Sequence, residues 1–327
     1  EVARVFGYNN LPSTNPVASM EIPAKPEVER PLTKLRANMV SRGYQEVITY
    51  SMVEPSLLAK FDDQHKPVAL LNPISADMAV MRTSLWPGLV KALQHNQNRQ
   101  QSRVRLFETG QRFIPSQQGL QQQDVFAGLL YGASQPESWH AKAASVDYFD
   151  AKGDLESLLA ISGKDFSFEA ATQLALHPGQ SAAIKLADQT IGYIGAMHPG
   201  LLKELDLQGP VFMFELDLAS ISEGTLPAYE TLSKFPEMRR DLAIVLDQKV
   251  SVAKVTQHIK ESAGEWLTDV RLFDVYQGQG IENGQKSLAL GLTWQHPERT
   301  LKDDEVNQWV EQVVESLSDH AGASLRG

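Results

Sequence analysis

Residues 72–113 constrain the fold more than any other part of the chain, because they predict a helix that leads straight into a long strand. A hydroxyl at Thr83 or Ser84 can cap the first turn of the helix. The apolar residues that follow recur at helical spacing and predict one buried face: Leu85, Leu89, Val90 and Leu93. The polar run 95–102 ends the helix, and the alternation in 104–108 predicts the strand.

The composition bounds the class of protein. With 327 residues, the chain is long enough for about two domains that each bury a core. It has no cysteine, which excludes disulfides and thiolate metal sites and fits a reducing cytoplasm. No apolar run approaches the roughly 18 residues of a membrane span. A net charge of −10 argues against an indiscriminate nucleic-acid binder, so any RNA contact must come from a local patch.

The upstream part of the chain predicts alternating helices and strands behind a linker. Residues 9–26 hold four prolines and predict an extended linker. Further elements are predicted as helices at 31–42 and 154–161, strands at 45–53, 125–131, 166–170 and 211–218, and a hairpin at 181–197. His177 and His198 each precede a proline, which favours structural turns over a metal site.

The last part of the chain predicts a compact module of its own. Its predicted elements are a strand at 239–246, a helix that Ser251 caps and Gly264 ends, strands at 265–276 and 286–294, a helix that Thr300 caps, and a short strand at 323–326. The order β-α-β-β-α-β is that of the ferredoxin-like split βαβ fold.

Several short sequence motifs resemble those of a known family. MRTSL, PGL, NQNR and RLFETGQRF in the central segment, and KFPEMRRDLA, DVRLFDVYQG, KSLAL and PERTLKDDEVN in the last module, resemble the beta chains of bacterial phenylalanyl-tRNA synthetases. The resemblance covers essentially the whole chain. It implies an α+β fold with a class II synthetase-like antiparallel sheet domain, catalytic-like but inactive, and a ferredoxin-like βαββαβ anticodon-binding domain.

The resemblance also implies domain bounds and partners. Residues 1–10 would end an upstream magnesium-binding module, 11–225 would form the catalytic-like domain, 226–233 a linker, and 234–327 the anticodon-binding domain. Because the chain starts without Met, we expect a C-terminal piece of a longer cytoplasmic protein whose editing site lies upstream. The implied partners are a catalytic alpha subunit, in an α2β2 heterotetramer, and tRNA-Phe, with ATP and Mg²⁺ used by the holoenzyme and no cofactor required by this piece.

Glu1 is the one metal ligand that the resemblance implies in this chain. It directly precedes the Val-Ala-Arg of the matching family motif, where acidic residues hold a magnesium ion near the alpha subunit. The remaining ligands would come before residue 1. The alternative is a solvated glutamate on a helix surface.

Catalytic residues are not predicted in this chain. Class II enzymes use an Arg-x-Glu strand motif and a second arginine to hold the ATP phosphates. In Arg105-Leu106-Phe107-Glu108 the extra residue puts Arg105 and Glu108 on opposite faces of the strand. No Gly-x-Gly-x-Gly strand leads to a second arginine, and no nucleophile elbow, Walker loop or His-Glu-x-x-His motif occurs.

Two surfaces are predicted to meet partners. The helix at 31–42, with Leu35 and Met39 on its apolar stripe, and the strand at 45–53 are predicted to form a subunit interface. In the last module, Arg239, Arg271 and Phe273 alternate away from the predicted core and are predicted to bind tRNA, since a base can stack on Phe273 beside guanidinium–phosphate pairs. The alternative is a solvated sheet with Phe273 packed on the preceding linker.

Two other functions remain open at this point. A regulatory paralogue would bind a small metabolite at the edges of the ferredoxin-like module and would not bind tRNA. A free-standing adenylating enzyme would need the arginine motifs that are missing here.

Overall fold

The computed structural model describes residues 1–19, 26–140, 142–229 and 231–326. The chain folds into two compact units, residues 1–227 and residues 228–327. Residues 20–25 of the predicted linker lie outside the described part, and the finer domain bounds given above stay predictions. No helix in the described residues is long and apolar enough to cross a membrane.

The first unit mixes helices with a large sheet. Its helices are α1 (Val2–Phe6), α2 (Leu32–Ser41), α3 (Pro55–Leu58), α4 (Trp86–Gln97), α5 (Tyr148–Leu159), α6 (Pro199–Glu204) and α7 (Ala219–Ser222). Its strands are β1 (Gln45–Glu46), β2 (Met52–Val53), β3 (Val80–Met81), β4 (Arg103–Ser116), β5 (Gly119–Gly132), β6 (Phe166–Ala170), β7 (Leu176–Leu186), β8 (Gln189–Met197) and β9 (Val211–Asp217). Single 3-10 turns lie at Tyr8–Asn10, Ala76–Met78 and Ala160–Ser162.

The large sheet has the strand order β1-β4-β5-β9-β8-β7-β6. Only the β1–β4 pairing is parallel among the described strands, and the others are antiparallel. Helices α2 and α5 pack on one face of the sheet, while α4 and α6 pack on the other. Both faces are therefore covered, as the alternation of buried side chains in β5 requires: Phe126 packs with the first core and Val125 with the second.

The predicted strand at 45–53 is wrong as a single element. Residues 45–46 pair with β4 and residues 52–53 pair with β3, and the segment between them leaves the sheet. The β-branched residues of this segment raised its strand propensity, but propensity does not supply a partner strand. The helix predicted at 154–161 begins earlier, because Asp147 caps α5 by accepting from the N–H groups of Phe149 and Asp150.

The proposed subunit interface on α2 is also wrong in its reasoning. Leu35 and Met39 are 0% exposed and belong to the core of their own unit, where they pack among residues of α5 and the sheet. The apolar stripe of α2 is thus already buried, and it cannot serve as an unpartnered docking surface. The helix end is as predicted, since Gly43 follows α2 with φ +81°, a conformation that glycine adopts at low cost.

The second unit has the predicted βαββαβ order. Its elements are β10 (Met238–Asp247), α8 (Val252–Ser262), β11 (Leu267–Tyr276), β12 (Gln285–Trp294), α9 (Asp303–Ala321) and β13 (Ser324–Leu325). The strand order is β11-β12-β10-β13, and every pairing is antiparallel. Ser251 caps α8 by accepting from the N–H of Lys254, as predicted.

The second helix of this unit begins three residues after the predicted cap. Residue Lys302, not Thr300, precedes the first turn of α9. The carboxylate of Glu305 accepts from the N–H of Lys302 at 2.9 Å and from the Arg299 guanidinium at 2.7 Å. An acidic side chain reaching back to the helix start replaces the hydroxyl cap.

The core of the second unit lies between its sheet and its two helices. Alternating residues of β10 and β12 face the helices and are buried: Leu242, Ile244, Leu246, Leu288, Leu290 and Leu292. Trp294 is fully buried as well, and its indole N–H donates to the carbonyl of Ala263 at 2.7 Å. The predicted inner face is therefore confirmed, and the opposite face of the sheet carries no helix from the described residues of this unit.

Candidate nucleic-acid interface

The helix-free face of the second sheet, here called the open face, carries the three residues predicted to bind tRNA. Arg239, Arg271 and Phe273 are all exposed, and Phe273 keeps 50% of its surface accessible. In the ladder Arg239 stands opposite Thr293 and Arg271 stands opposite Gly291, which are residues of the same face of β12. Strand alternation therefore placed these arginines correctly.

Arg239 and Phe273 are in direct contact across the sheet. The guanidinium carbon of Arg239 lies 5.6 Å from the ring centroid of Phe273, and its Nε donates to Asp241 at 2.8 Å. The arginine can lie flat here because Gly291 is beneath it: a Cβ at that glycine would fall 2.5 Å from Arg239 Nη2. A flat guanidinium beside an aromatic ring is a surface on which a base can stack.

A β-bulge at Phe273 determines which later residues share the open face. Leu272 stands opposite Leu290 and Asp274 stands opposite Ala289, so Phe273 is the extra, unpaired residue. The bulge inverts the alternation of the strand beyond it. As a result, Asp274 and Tyr276 turn to the open face.

Two further residues of the open face were missed by sequence reasoning. The guanidinium carbon of Arg326 lies 5.2 Å from the ring centroid of Tyr276, and its Nη1 donates to Ser287 at 3.4 Å. Tyr276 was missed because simple alternation from Phe273 assigns it to the core side. Arg326 was treated only as the end of a short strand, although its backbone N–H pairs with Ala243 and anchors it beside β10.

The open face thus offers two arginine–aromatic pairs on one sheet. Aromatic rings can stack unpaired bases, and guanidinium groups can pair with phosphates. The face is not uniformly basic, because Asp241 and Asp274 lie on it too. It suits a few splayed nucleotides better than a continuous phosphate backbone.

In the first unit, the arginine and the glutamate of the segment that resembles Arg-x-Glu each form an ion pair with another residue of the protein. Arg105 Nη1 pairs with the buried carboxylate of Asp154 on the α5 side of the sheet. Glu108 pairs with Arg82 on the other side, with 2.8 Å between Oε1 and Nη1. The prediction that Arg105 and Glu108 lie on opposite faces is confirmed, and both side chains are occupied by protein partners.

A third buried carboxylate fixes the start of α4. Glu215 of β9 accepts from the hydroxyl of Ser84 at 2.9 Å and from the N–H of Leu85 at 2.7 Å. Burial raises the pKa of Glu215, while Arg112 and these two donors act in the opposite direction. Ser84 also accepts from the N–H of Trp86 at 3.1 Å, so the predicted hydroxyl at the helix start does act there.

Glu1 and the two histidines have local partners. Glu1 is exposed and accepts from Arg4 Nε at 2.7 Å. The described residues contain no group of three or more histidine, aspartate or glutamate side chains arranged to hold a metal, so Glu1 as a magnesium ligand stays a prediction. His177 and His198 each accept, through Nδ1, from the N–H of the glycine two residues later. His198 does so as the N-cap of α6, whereas His177 lies within β7, so neither histidine stands in the simple turn that was predicted.

Comparison with known families gives two matches. A family model described as the phenylalanyl tRNA synthetase beta chain CLM domain matches residues 11–218. A second, described as the ferredoxin-fold anticodon binding domain, matches residues 233–326. Each match lies within one of the two compact units.

Comparison with individual proteins gives relatives with one shared name, phenylalanine–tRNA ligase beta subunit. Those from Pseudomonas putida, Hahella chejuensis and Shewanella oneidensis are 53%, 49% and 44% identical. Each match covers 100% of this chain but only 41–42% of the relative, so the chain spans less than half the length of these proteins. None of these three is named as a regulatory protein, which leaves the regulatory alternative without support.

Among solved structures, a pyrrolysyl tRNA synthetase from Desulfitobacterium hafniense is similar over 58% of this chain and 65% of its own. The TM-score is 0.44 and the sequence identity is 16%. A likeness at this level carries no argument about function.

Proposed function

Because the chain belongs to the family of phenylalanyl-tRNA synthetase beta chains, we propose that it is part of such a beta subunit and binds tRNA-Phe through its second unit. In this role it supports an alpha subunit that charges tRNA-Phe with phenylalanine at the expense of ATP. The observation that carries the tRNA part of the proposal is the open face with its two arginine–aromatic pairs, Arg239–Phe273 and Arg326–Tyr276.

Each pair has a defined task in this proposal. Phe273 and Tyr276 stack on splayed bases, and Arg239, Arg271 and Arg326 neutralise neighbouring phosphates. Splayed bases occur in single-stranded loops, so the anticodon loop is the part of the tRNA that this face suits. The description of the matching family model as anticodon-binding supports the same choice.

The first unit is proposed to be a class II catalytic-like domain that performs no adenylation. Its mainly antiparallel sheet supports the class II assignment. Arg105 is paired with Asp154 and is not free to bind a nucleotide phosphate, and Glu108 is paired with Arg82 on the other side of the sheet. Catalysis, with its ATP and Mg²⁺, then belongs to the alpha subunit, in an α2β2 assembly with the beta subunit in the cytoplasm.

A crosslinking experiment tests the tRNA proposal. The full-length beta subunit, assembled with its alpha chain, is bound to tRNA-Phe that carries photoreactive 4-thiouridine in the anticodon loop. Crosslinked peptides are then mapped by mass spectrometry. We expect crosslinks in β10, β11, β12 and the segment after α9, which together form the open face. Crosslinks confined to the helix face, or a pattern that is unchanged with a 4-thiouridine placed in the acceptor stem, would contradict the proposal.

A further inference from the structure

A cavity of about 910 Å³ opens in the first unit beside the Arg105–Asp154 pair. It lies where the end of α2, the start of β4 and the first turns of α5 meet. Its lining includes three arginines and two carboxylates: Arg42, Arg103, Arg105, Asp150 and Asp154. Ligand sites are commonly concave spaces of about 300–1,000 Å³, so the volume suits a small organic molecule.

The two carboxylates are already committed to protein donors. Asp154 accepts from Arg42 Nη1 at 2.9 Å, from the Tyr44 hydroxyl at 3.0 Å, and from Arg105 Nη1. Asp150 accepts from the N–H of Asp147 at 2.9 Å and so completes the cap of α5. Neither carboxylate accepts a hydrogen bond from the third guanidinium of the cavity.

Arg103 is that third guanidinium. Among the described residues it makes no ion pair and donates no hydrogen bond, and its Nε is buried without a partner. Its terminal nitrogens lie beside Gly43, 3.5 and 3.7 Å from the position that a Cβ on that glycine would take. Burial, and then the positive charge of Arg105, lower the pKa of Arg103.

An anion is the missing partner in this arrangement. A partly buried guanidinium next to a second one is costly unless a negative group neutralises it. Arginine presents a planar fork that matches a phosphate or carboxylate with two parallel hydrogen bonds. Hydroxyls of Ser41 and Ser157 and the exposed ring of Phe149 line the same cavity and can contact the rest of a small molecule.

We propose that this cavity is a binding site for a small organic anion whose phosphate or carboxylate group pairs with Arg103. A single negative charge on the ligand brings the net charge of the cavity to zero, because three guanidinium groups and two carboxylates line it. The site is distinct from the open face and requires no catalysis by this chain.

Arginine-selective labelling tests the proposal. The full-length beta subunit, free and assembled with the alpha chain, is treated with phenylglyoxal, and the modification of each arginine is followed by mass spectrometry. The probes are AMP for a phosphate ligand and succinate for a carboxylate ligand. We expect at least one of them to slow the labelling of Arg103 about 5-fold or more in both preparations. Arg99, an exposed arginine whose guanidinium donates to the carbonyl of His95, is the control and should label at an unchanged rate.

Substitution gives the second measurement. Arg103→Gln removes a charge that makes no ion pair or hydrogen bond with the described residues, so it should leave the fold intact. It should lower the affinity for the protecting probe by about 10-fold or more, as expected for the loss of hydrogen bonds to a charged group. Arg103→Lys should retain part of the affinity, because the charge remains without the fork.

Two results would overturn the proposal. Labelling of Arg103 that neither probe slows would show that the cavity holds no such anion. Labelling that is fast in the free subunit and absent in the assembled one would show that the alpha chain fills the cavity and that Arg103 is an interface residue.

Discussion

Glu108 binds Arg82: Arg82 Nη1 lies 2.8 Å from Glu108 Oε1, and their side chains are only 5% and 3% exposed. Thr49 donates to the same carboxylate, and Arg82 Nε donates to the carbonyl of Gln111. The pair ties the segment before α4 to strand β4. It also explains why Glu108 does not act with Arg105, which points to the opposite side of the sheet.

This pair predicts that the effects of substituting the two residues on stability are strongly non-additive. Glu108→Gln and Arg82→Met should each lower the free energy of unfolding by about 3–5 kcal/mol, because each leaves a buried polar or charged partner without its counter-ion. The double variant should lose clearly less than the sum of the two single variants. Denaturant unfolding of the four proteins measures this. Additive losses would show that the two side chains do not depend on each other.

Phe273→Ala should weaken tRNA binding without unfolding the protein. Stacking of one base on an aromatic ring is worth about 1–3 kcal/mol, which corresponds to a loss of roughly 5- to 150-fold in affinity. Val275→Ala is the matched control, since Val275 lies on the same strand with 52% exposure but stands opposite the core residue Leu288. Equal affinities of the two variants, or a large fall in melting temperature for Phe273→Ala, would contradict the stacking role.

Arg271→Gln should reduce the salt dependence of tRNA binding. Without the contact between Arg271 and a phosphate, tRNA binding releases fewer counterions. The slope of log K against log salt should therefore become shallower by about 0.7–1. Arg240→Gln provides the comparison, because Arg240 is the neighbour of the open-face Arg239 but pairs with Asp303 of α9. Binding isotherms at several salt concentrations check this. Slopes that change equally in both variants would point to a general charge effect.

Glu305 predicts a defined pH dependence for the stability of the second unit. The hydrogen bonds from Arg299 and from the N–H of Lys302 lower the pKa of Glu305 from 4.5 to about 2. Because the folded state holds the carboxylate in its charged form, this contribution is fully present above pH 4.5 and disappears as the pH falls to about 2.

Melting curves between pH 7 and pH 2 test this dependence. Glu305→Gln should melt lower than the unchanged protein at pH 7, and the two melting temperatures should converge as the pH falls. Glu311→Gln, an exposed change on the same helix, should show no such convergence. A Glu305→Gln difference that is constant with pH would rule out the charged carboxylate as the cause.

The first unit should not form an aminoacyl adenylate. Arg105 is paired with Asp154 and Glu108 with Arg82. Arg105 is therefore not available to bind the ATP phosphate as the corresponding arginine of a class II enzyme would. Phenylalanine-dependent exchange of pyrophosphate into ATP is the measurement, with the assembled alpha and beta subunits as the positive control. Exchange by this chain in the absence of any alpha chain would contradict the assignment.

Much of the second unit was predictable from the sequence, because the deciding signals are local. Strand alternation places Leu242, Ile244 and Leu246 on one face whatever the rest of the chain does. Ser251 and Gly264 mark the ends of α8 through hydrogen bonding and backbone conformation within one turn. The βαββαβ order follows from such signals alone.

What the tertiary structure decided involves residues that are distant in sequence. The bulge at Phe273, which brings Tyr276 to the open face, exists only because β12 pairs with β11 in a particular register. Leu35 and Met39 form a stripe that fits a partner or a core equally well, and only the position of α5 decided for the core. The pairing of Arg105 with Asp154 leaves Arg103 unpaired among the described residues, and no local pattern could show it. Periodicity predicts the direction of a side chain only while the strand stays regular. What the side chain meets depends on packing between elements that are distant in sequence.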